Sequence, residues 1–423
     1  MNNVDRQYLD LLKDILENGT YKQTRAGLVK SVFGRQMRFN LKDGLPILTT
    51  KKVFTKGVIH ELIWFLKNDT NIKYLVDNNV HIWDDDAYRF YLEKVNTHNR
   101  FIIERNNLIQ SDELIEYYYD NLDEKHDKLE LGCFIAFGDI YKSDDEYDEV
   151  GFEGDDESEL EGVNEFGNSL KEITPLSKEE FLKCVVNEDY VSFLTEYDDF
   201  GFVITDYRYG ELGHVYGNQW RSQGAKQIDQ IKNIIDTLKT NPDDRRMICM
   251  AWNSNELEEM ALPPCHYGFQ VYTRELSPIE RLEWLWEHSN GEYDEWKSPT
   301  RQSLDDLGVP TRELSLMWMQ RSCDFGLGFC FNLLSYSILL AIFAQCVNMT
   351  CGEVICSLGD VHIYENHIEG LSEQLERDPN KYDLPKLELN KNIKNIDEFT
   401  FDDININGYE SYPTIKLPLS VGL

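Results

Sequence analysis

Between Asp144 and Glu165 the chain runs through Asp, Glu, Gly and Ser with almost no basic residue. Such a stretch buries too little apolar surface to offset the entropy of ordering it, so it is expected to be solvated and mobile. It therefore divides the chain. Before it lies compact α+β material: an amphipathic helix (Tyr8, Leu9, Leu11, Leu12, Ile15, Leu16), a strand over Val32 to Phe39 and an apolar helix from Val58 to Leu66. The character changes near residue 88 and ordered signals resume after residue 209, so the acidic run reads as a loop inside an insertion of about 88–209 in a smaller lobe. Helix candidates flank the loop, and in "SKEEFLKCVV" Ser177 and Glu180 stand at capping-box spacing just after Pro175.

Downstream, the pattern predicts a helix over Ile228 to Leu238 and strands around Met247 to Trp252 and Phe269 to Tyr272. A second interruption, about 274–312, carries Pro278, Pro299 and Pro310 and many charges, and reads as a lengthened hairpin connection. A strand over Leu314 to Met319, a long apolar helix from Phe331 to Cys346 and a last strand and helix in "SLGDVHIYENHIEGL" complete the chain.

The net charge of −34 argues against a broad nucleic-acid face, because binding phosphates takes clustered Lys and Arg. No apolar run reads as a membrane span, and Met1 leads directly into polar residues without a signal-peptide core, so a soluble, cytoplasmic protein is expected. Nine cysteines without a C-x-x-C pair suggest reduced thiols, neither a disulfide framework nor a structural zinc site. Cys346, Cys351 and Cys356 are expected to be ordinary packing residues.

Three segments carry candidate chemistry. In "MALPPCHYGFQ", Cys265 follows two prolines and precedes His266; nearby cations favour the reactive thiolate, and Arg245, Arg246 and Arg321 are candidates for that role if the fold brings them close. In "QRSCDFGLGFCFN", Gln320, Arg321, Ser322 and Asp324 precede an apolar helix carrying Asn332. Arginine and serine suit a phosphate, and the asparagine amide matches the donor and acceptor of a uracil edge; the plain alternative is a capped helix with surface polar groups. In "GDVHIYENH", His362 and Tyr364 share one strand face, where both can reach a sugar hydroxyl, while His362, Glu365 and His367 fit no strong metal-ligand spacing and no metal is expected.

Together with "SVFGRQMRFNLKDGLPILTTKK", "HELIWFLKNDTNIKYL", "HIWDD", "GELGHVYGNQWR", "DDRRMICMAWN" and "DININGYESYPTIKLPL", these segments in this order resemble thymidylate synthase over nearly all the chain outside the two insertions. The resemblance implies a single catalytic domain over 1–423 with an α+β fold, a large mixed sheet covered by helices, two such sheets packing back to back in a homodimer. It implies reductive methylation of deoxyuridylate (dUMP) with 5,10-methylenetetrahydrofolate. Cys265 is then the nucleophile at C6 of uracil, with Glu61, Asn332, Tyr216 and His266 in the surrounding proton and water network. Phosphate falls to Arg321 and Ser322, with Arg245 and Arg246 supplied across the dimer; the sugar falls to His362 and Tyr364, and Gln320 joins the nucleotide site. Folate contacts fall to Ile82, Trp83, Asp324, Leu327, Gly328 and Phe331.

Four positions depart from the family pattern. The N-terminal phosphate loop is out of register, giving Thr24 where arginine is usual and Arg25 one residue late; Asp86 replaces a second tryptophan; Gly422 and Leu423 extend beyond Val421; and Gly326 and Cys330 replace an aromatic and a proline, which predicts a looser loop. Two alternatives stay open: a deoxyuridylate hydroxymethylase, in which water replaces hydride, and a partner-binding protein that uses the acidic stretch on a retired synthase fold.

Overall fold

A computed structural model of the chain describes residues 2–109, 141–142, 172–198, 201–289 and 300–418. The acidic run Asp144–Glu165, Pro299 and the terminal Val421, Gly422 and Leu423 lie outside the described residues. In chain order the strands are β1 (Thr20–Thr24), β2 (Gly27–Asn40), β3 (Tyr141–Lys142), β4 (Tyr190–Asp198), β5 (Gly201–Arg208), β6 (Ile248–Met250), β7 (His266–Glu275), β8 (Arg312–Asp324) and β9 (Thr350–Tyr364). Two compact units form: Met1–Thr70 with Asn78–Ile82 and Gly213–Leu423, and Asn71–Asp77 with Trp83–Leu212.

The first unit is built on a six-stranded sheet in the order β1-β2-β9-β8-β7-β6. Only β8 and β9 run parallel; the other neighbours are antiparallel, so the sheet is mixed. The helix Gly328–Cys346 supplies the crossover that a parallel pair requires. Period-two burial along β8 turns Leu314, Leu316, Trp318 and Gln320 inward, toward that helix. Leu333, Leu334, Ile338, Leu339, Leu340, Ile342 and Phe343 are all fully buried on the helix. At about 1.5–3 kcal/mol for each buried aliphatic or aromatic side chain, it is a principal source of the unit's stability.

The core helix Gly328–Cys346, with 19 residues, is long and apolar enough to cross a bilayer by length and composition alone, yet most of its side chains are buried within the first unit, as in a core helix. Polar Asn332 lies inside it, near its N-terminal end, and interrupts the apolar run.

The second unit pairs β3, β5 and β4 in that order, β3 parallel and β4 antiparallel to β5. An aromatic cluster of Tyr91, Phe181, Phe193, Tyr207 and Tyr209 fills it, ring centroids 5.2–6.4 Å apart. Ser177 and Glu180 form a reciprocal capping box on the helix Lys178–Asn187. Trp83 is buried here, and Asp86 is ion-paired to Arg89 at 2.7 Å. In the first unit, Pro278 does not break structure: as the first residue of the helix Pro278–His288, capped by Ser277 and Glu280, it gives up only an N–H that would have no helical partner.

Leu339→Ala is expected to lower unfolding free energy by about 2–5 kcal/mol in a urea titration, because the cavity it opens is enclosed on all sides. Glu17→Ala, in the exposed Lys13–Glu17 pair, should change it by less than about 0.5 kcal/mol.

Candidate active site

The sulfur-bearing residue sits where β7 begins. Cys265 is partly exposed, and its backbone is held from two sides: its N–H donates to the Tyr216 hydroxyl (2.8 Å) and its carbonyl accepts the N–H of Arg321 (2.8 Å). Pro263 and Pro264 restrict the backbone before it. Arg321 adds a second clamp, donating from Nε to the Pro264 carbonyl (2.9 Å) and from Nη2 to the Pro263 carbonyl (2.8 Å), with its guanidinium over the Trp252 ring at 5.4 Å. One of the three candidate arginines therefore lies beside the thiol-bearing segment.

Arg245 and Arg246 do not. β6 starts opposite Gln270, four residues and roughly 14 Å along β7 from His266, and the two arginines precede β6. Both are exposed, and Arg246 is ion-paired to Asp244 at 2.6 Å, whose carboxyl it draws down to about 2. Within one chain they are not placed to activate Cys265.

The polar cluster expected before the helix lies instead on the strand, since β8 continues through Asp324. Gln320 is buried; its Oε1 accepts from Trp318 Nε1 and from Asn332 Nδ2 (3.1 Å each), and its Nε2 donates to the Ser322 carbonyl (2.9 Å). The capped-helix alternative is thus replaced by a strand end, because the ladder to β9 persists through Asp324↔His362. Ser322 is partly exposed.

Tyr216 opens the helix Tyr216–Arg221, which lies close against the helix Thr55–Leu66: a Cβ on Gly217 would come within 2.8 Å of the Phe65 carbonyl oxygen. Its ring stacks on His266 at 4.2 Å. Burial, then the neighbouring Cys265, then Tyr336 and Glu61 push the Tyr216 phenol well above its usual range, which also locates Glu61 within electrostatic reach of that hydroxyl. His266 shares a 2.9 Å hydrogen bond between Nδ1 and the Tyr336 hydroxyl, and burial pushes its imidazole down to about 3, so it is neutral at physiological pH.

On β9, His362 Nδ1 lies 3.3 Å from Asp360, which Lys22 also contacts at 3.0 Å. The Tyr364 phenol is pushed up to about 12, chiefly by burial, with Asp324 and Cys265 adding and Arg25 opposing. Asp324, Cys265 and Arg25 are therefore each within electrostatic reach of Tyr364. Arg25 is exposed at the tip of the β1–β2 hairpin, in the loop between the paired Thr24 and Gly27.

The Asp324 loop corrects the expectation of looseness: it is held tightly. Asp324 Oδ1 accepts the N–H groups of Gly326 (3.0 Å) and Leu327 (3.1 Å), buried Lys51 donates to the Gly326 carbonyl, and Tyr8 donates to the Phe325 carbonyl (3.0 Å) while stacking on its ring. Cys330 donates to the Leu327 carbonyl at 3.0 Å. A Cβ at Gly326 would sit 3.1 Å from His367 Nδ1, so the glycine permits close packing where looseness was expected. Leu327, Gly328 and Phe331 follow at the start of the core helix, each partly exposed, as is Ile82. Trp83 belongs to the other unit.

Sequence reasoning missed Lys51, Tyr8, Trp318 and Tyr336. Tyr336 had a signal, lying one helical turn after Asn332 on an otherwise apolar helix; Lys51 had none, because nothing local marks a lysine whose partner is 275 residues away.

A partly exposed thiol thus lies among a clamped arginine, a buried tyrosine and a neutral histidine, with an oriented amide pair beside it, the residue types that a cysteine-nucleophile enzyme requires. A model of thymidylate synthase matches residues 6–421. The thymidylate synthase of Mycoplasma mobile is 37% identical over 417 residues, covering 98% of this chain and 99% of the relative. Those of Listeria monocytogenes (35%) and Listeria innocua (34%) align over 420 residues, 98% of this chain and 100% of each relative. The chain belongs to the thymidylate synthase family, and it is a methyltransferase.

His266 should give imidazole resonances that do not titrate between pH 5 and 9; a midpoint near 6.5 would contradict the neutral form. Because its folded pKa lies below the unfolded value, the unfolded chain binds the extra proton. Its linkage to stability is therefore absent above about pH 6.5 and destabilises progressively as pH falls toward 3, by at most about 1.4 kcal/mol per pH unit.

Proposed function

We propose that the chain converts dUMP to thymidylate with 5,10-methylenetetrahydrofolate, releasing dihydrofolate, and that Cys265 is the nucleophile. The observation that carries the assignment of residues is the clamp of Arg321 on Pro263 and Pro264, which fixes a cation and the thiol-bearing segment as one piece. In this reading the Cys265 sulfur adds to C6 of the uracil ring, making C5 a carbon nucleophile, and Asn332 with ordered water and Glu61 stabilises the charge that develops toward O4. Tyr216 and neutral His266 belong to the path by which the C5 proton leaves; a buried phenol with so high a pKa holds its own proton and serves best as a positioned donor or relay. Arg321 and Ser322 take the phosphate, Arg25 assists at the hairpin tip, and His362 and Tyr364 take the sugar hydroxyl.

Folate, when bound, supplies the methylene carbon and a hydride. The residues present suit it: Asp324 spends Oδ1 on two loop N–H groups and makes no hydrogen bond through Oδ2 among the described residues, leaving an acceptor for a ring N–H, while Ile82, Leu327, Gly328 and Phe331 offer partly exposed apolar surface. Relatives that bear the name thymidylate synthase favour this outcome over the hydroxymethyl product. Every first-rank catalytic position holds a competent residue, which weighs against a retired scaffold.

We further propose a homodimer acting in the cytoplasm. Arg245 and Arg246 are exposed and too far along β7 to serve their own thiol, and Phe33 (77% exposed) and Tyr272 (67%) leave apolar surface on the strands of the large sheet, as a face covered by a second copy would.

Purified protein given dUMP and methylenetetrahydrofolate should form dihydrofolate, followed by absorbance, in step with a methyl-bearing nucleotide, followed by mass. A hydroxymethyl nucleotide without dihydrofolate would overturn the assignment. Cys265→Ser should lower turnover more than about a thousandfold, and Arg321→Lys, which loses the fork onto Pro263 and Pro264, about ten- to a hundredfold.

A further inference from the structure

Trp318 is assigned no role toward phosphate, sugar or folate, yet it is fully buried and its single polar atom is spent on the site. An indole N–H can only donate. The atom of Gln320 that faces it at 3.1 Å must therefore be the carbonyl Oε1. The Ser322 carbonyl can only accept, and at 2.9 Å it requires Nε2 on the other side, so the Gln320 amide has one permitted orientation. Asn332 also meets Oε1, at 3.1 Å, and so must present Nδ2 to it. A chain of three groups, starting from an unambiguous donor, thus fixes which way the Asn332 amide points. Among the described residues Asn332 makes no further side-chain hydrogen bond, which leaves its second N–H and its Oδ1 for a ligand.

We propose that Trp318 is a specificity-determining positioning residue, selecting a uracil over a cytosine edge by fixing the Gln320 and Asn332 amides. This rests on the reading of the pocket as a pyrimidine nucleotide site. Uracil offers an acceptor at O4 beside a donor at N3, which complements one N–H and one carbonyl of fixed polarity. Cytosine offers the reverse pair, so donor faces donor and acceptor faces acceptor unless the asparagine amide turns over. Turning it over requires Gln320 to turn as well, and that would set the Gln320 NH2 against the Trp318 N–H and its carbonyl against the Ser322 carbonyl. The indole also stacks on Tyr336 at 5.2 Å and 7°, and that packing holds the N–H in line.

The test is binding of dUMP and of dCMP, measured by calorimetry, to the full-length protein and to Trp318→Phe, which keeps an aromatic ring and removes the donor. The wild-type chain should prefer dUMP, and the variant should lose about tenfold of that preference. Should Trp318→Phe fail to fold, β-(3-benzothienyl)alanine at position 318 keeps the ring shape and the stack without the N–H, and the same loss is expected. A merely structural role would weaken both nucleotides equally or lower the unfolding temperature with the ratio unchanged; an unchanged ratio overturns the proposal. If the wild-type protein binds neither nucleotide, the reading of the pocket itself fails instead.

Discussion

The site depends on one junction, where β8 meets the segment entering β7. The Arg321 backbone N–H binds the Cys265 carbonyl, while the Arg321 side chain returns to the carbonyls of the two prolines before it. A single residue thereby completes the sheet ladder and braces the loop that carries the thiol. Guanidinium suits both tasks because its fork can satisfy two carbonyls at once and keep its charge. A bulge between His266 and Gly268 lets β7 change register against β8 at the same place, so that His266 lies opposite Gln320.

From that junction the site extends by packing more than by further charges. His266 lies between the stacked Tyr216 and the Tyr336 hydroxyl, neutral because packing around the ring desolvates it. Gln320 and Asn332 form an amide pair beside it, tied through Trp318 to the stack on Tyr336. Stacking and hydrogen bonding thus join the histidine and the asparagine through one core helix. In a chain of net charge −34, the cation beside the thiol segment is a local feature: Arg321 acts at contact distance, where the more distant acidic charge is screened by solvent.

Much of the candidate site was proposed before any fold was known. Cys265, Arg321, Asn332, His362 and Tyr364 stand in short segments whose residue types suit a thiolate, a phosphate, an amide edge and a sugar, and the structure brings the first three to one strand end with Tyr364 in electrostatic reach. The rest was not legible because its partners are remote. Lys51 and Gly326 meet across 275 residues and Tyr8 and Phe325 across 317, and these contacts make tight a loop whose small residues had suggested looseness.

The sequence by itself determined element types, the order of the chemical segments and their family, because helix and strand periodicity, capping boxes and short motifs are properties of neighbours along the chain. Tertiary structure alone decided that the polar run Gln320 to Asp324 is a strand end, that the apolar helix Gly328–Cys346 is core, that Arg321 and not Arg245 or Arg246 braces the thiol segment of its own chain, and which way two amides point. Those outcomes depend on which surfaces meet after the chain has crossed back on itself, and no local pattern encodes a partner hundreds of residues away.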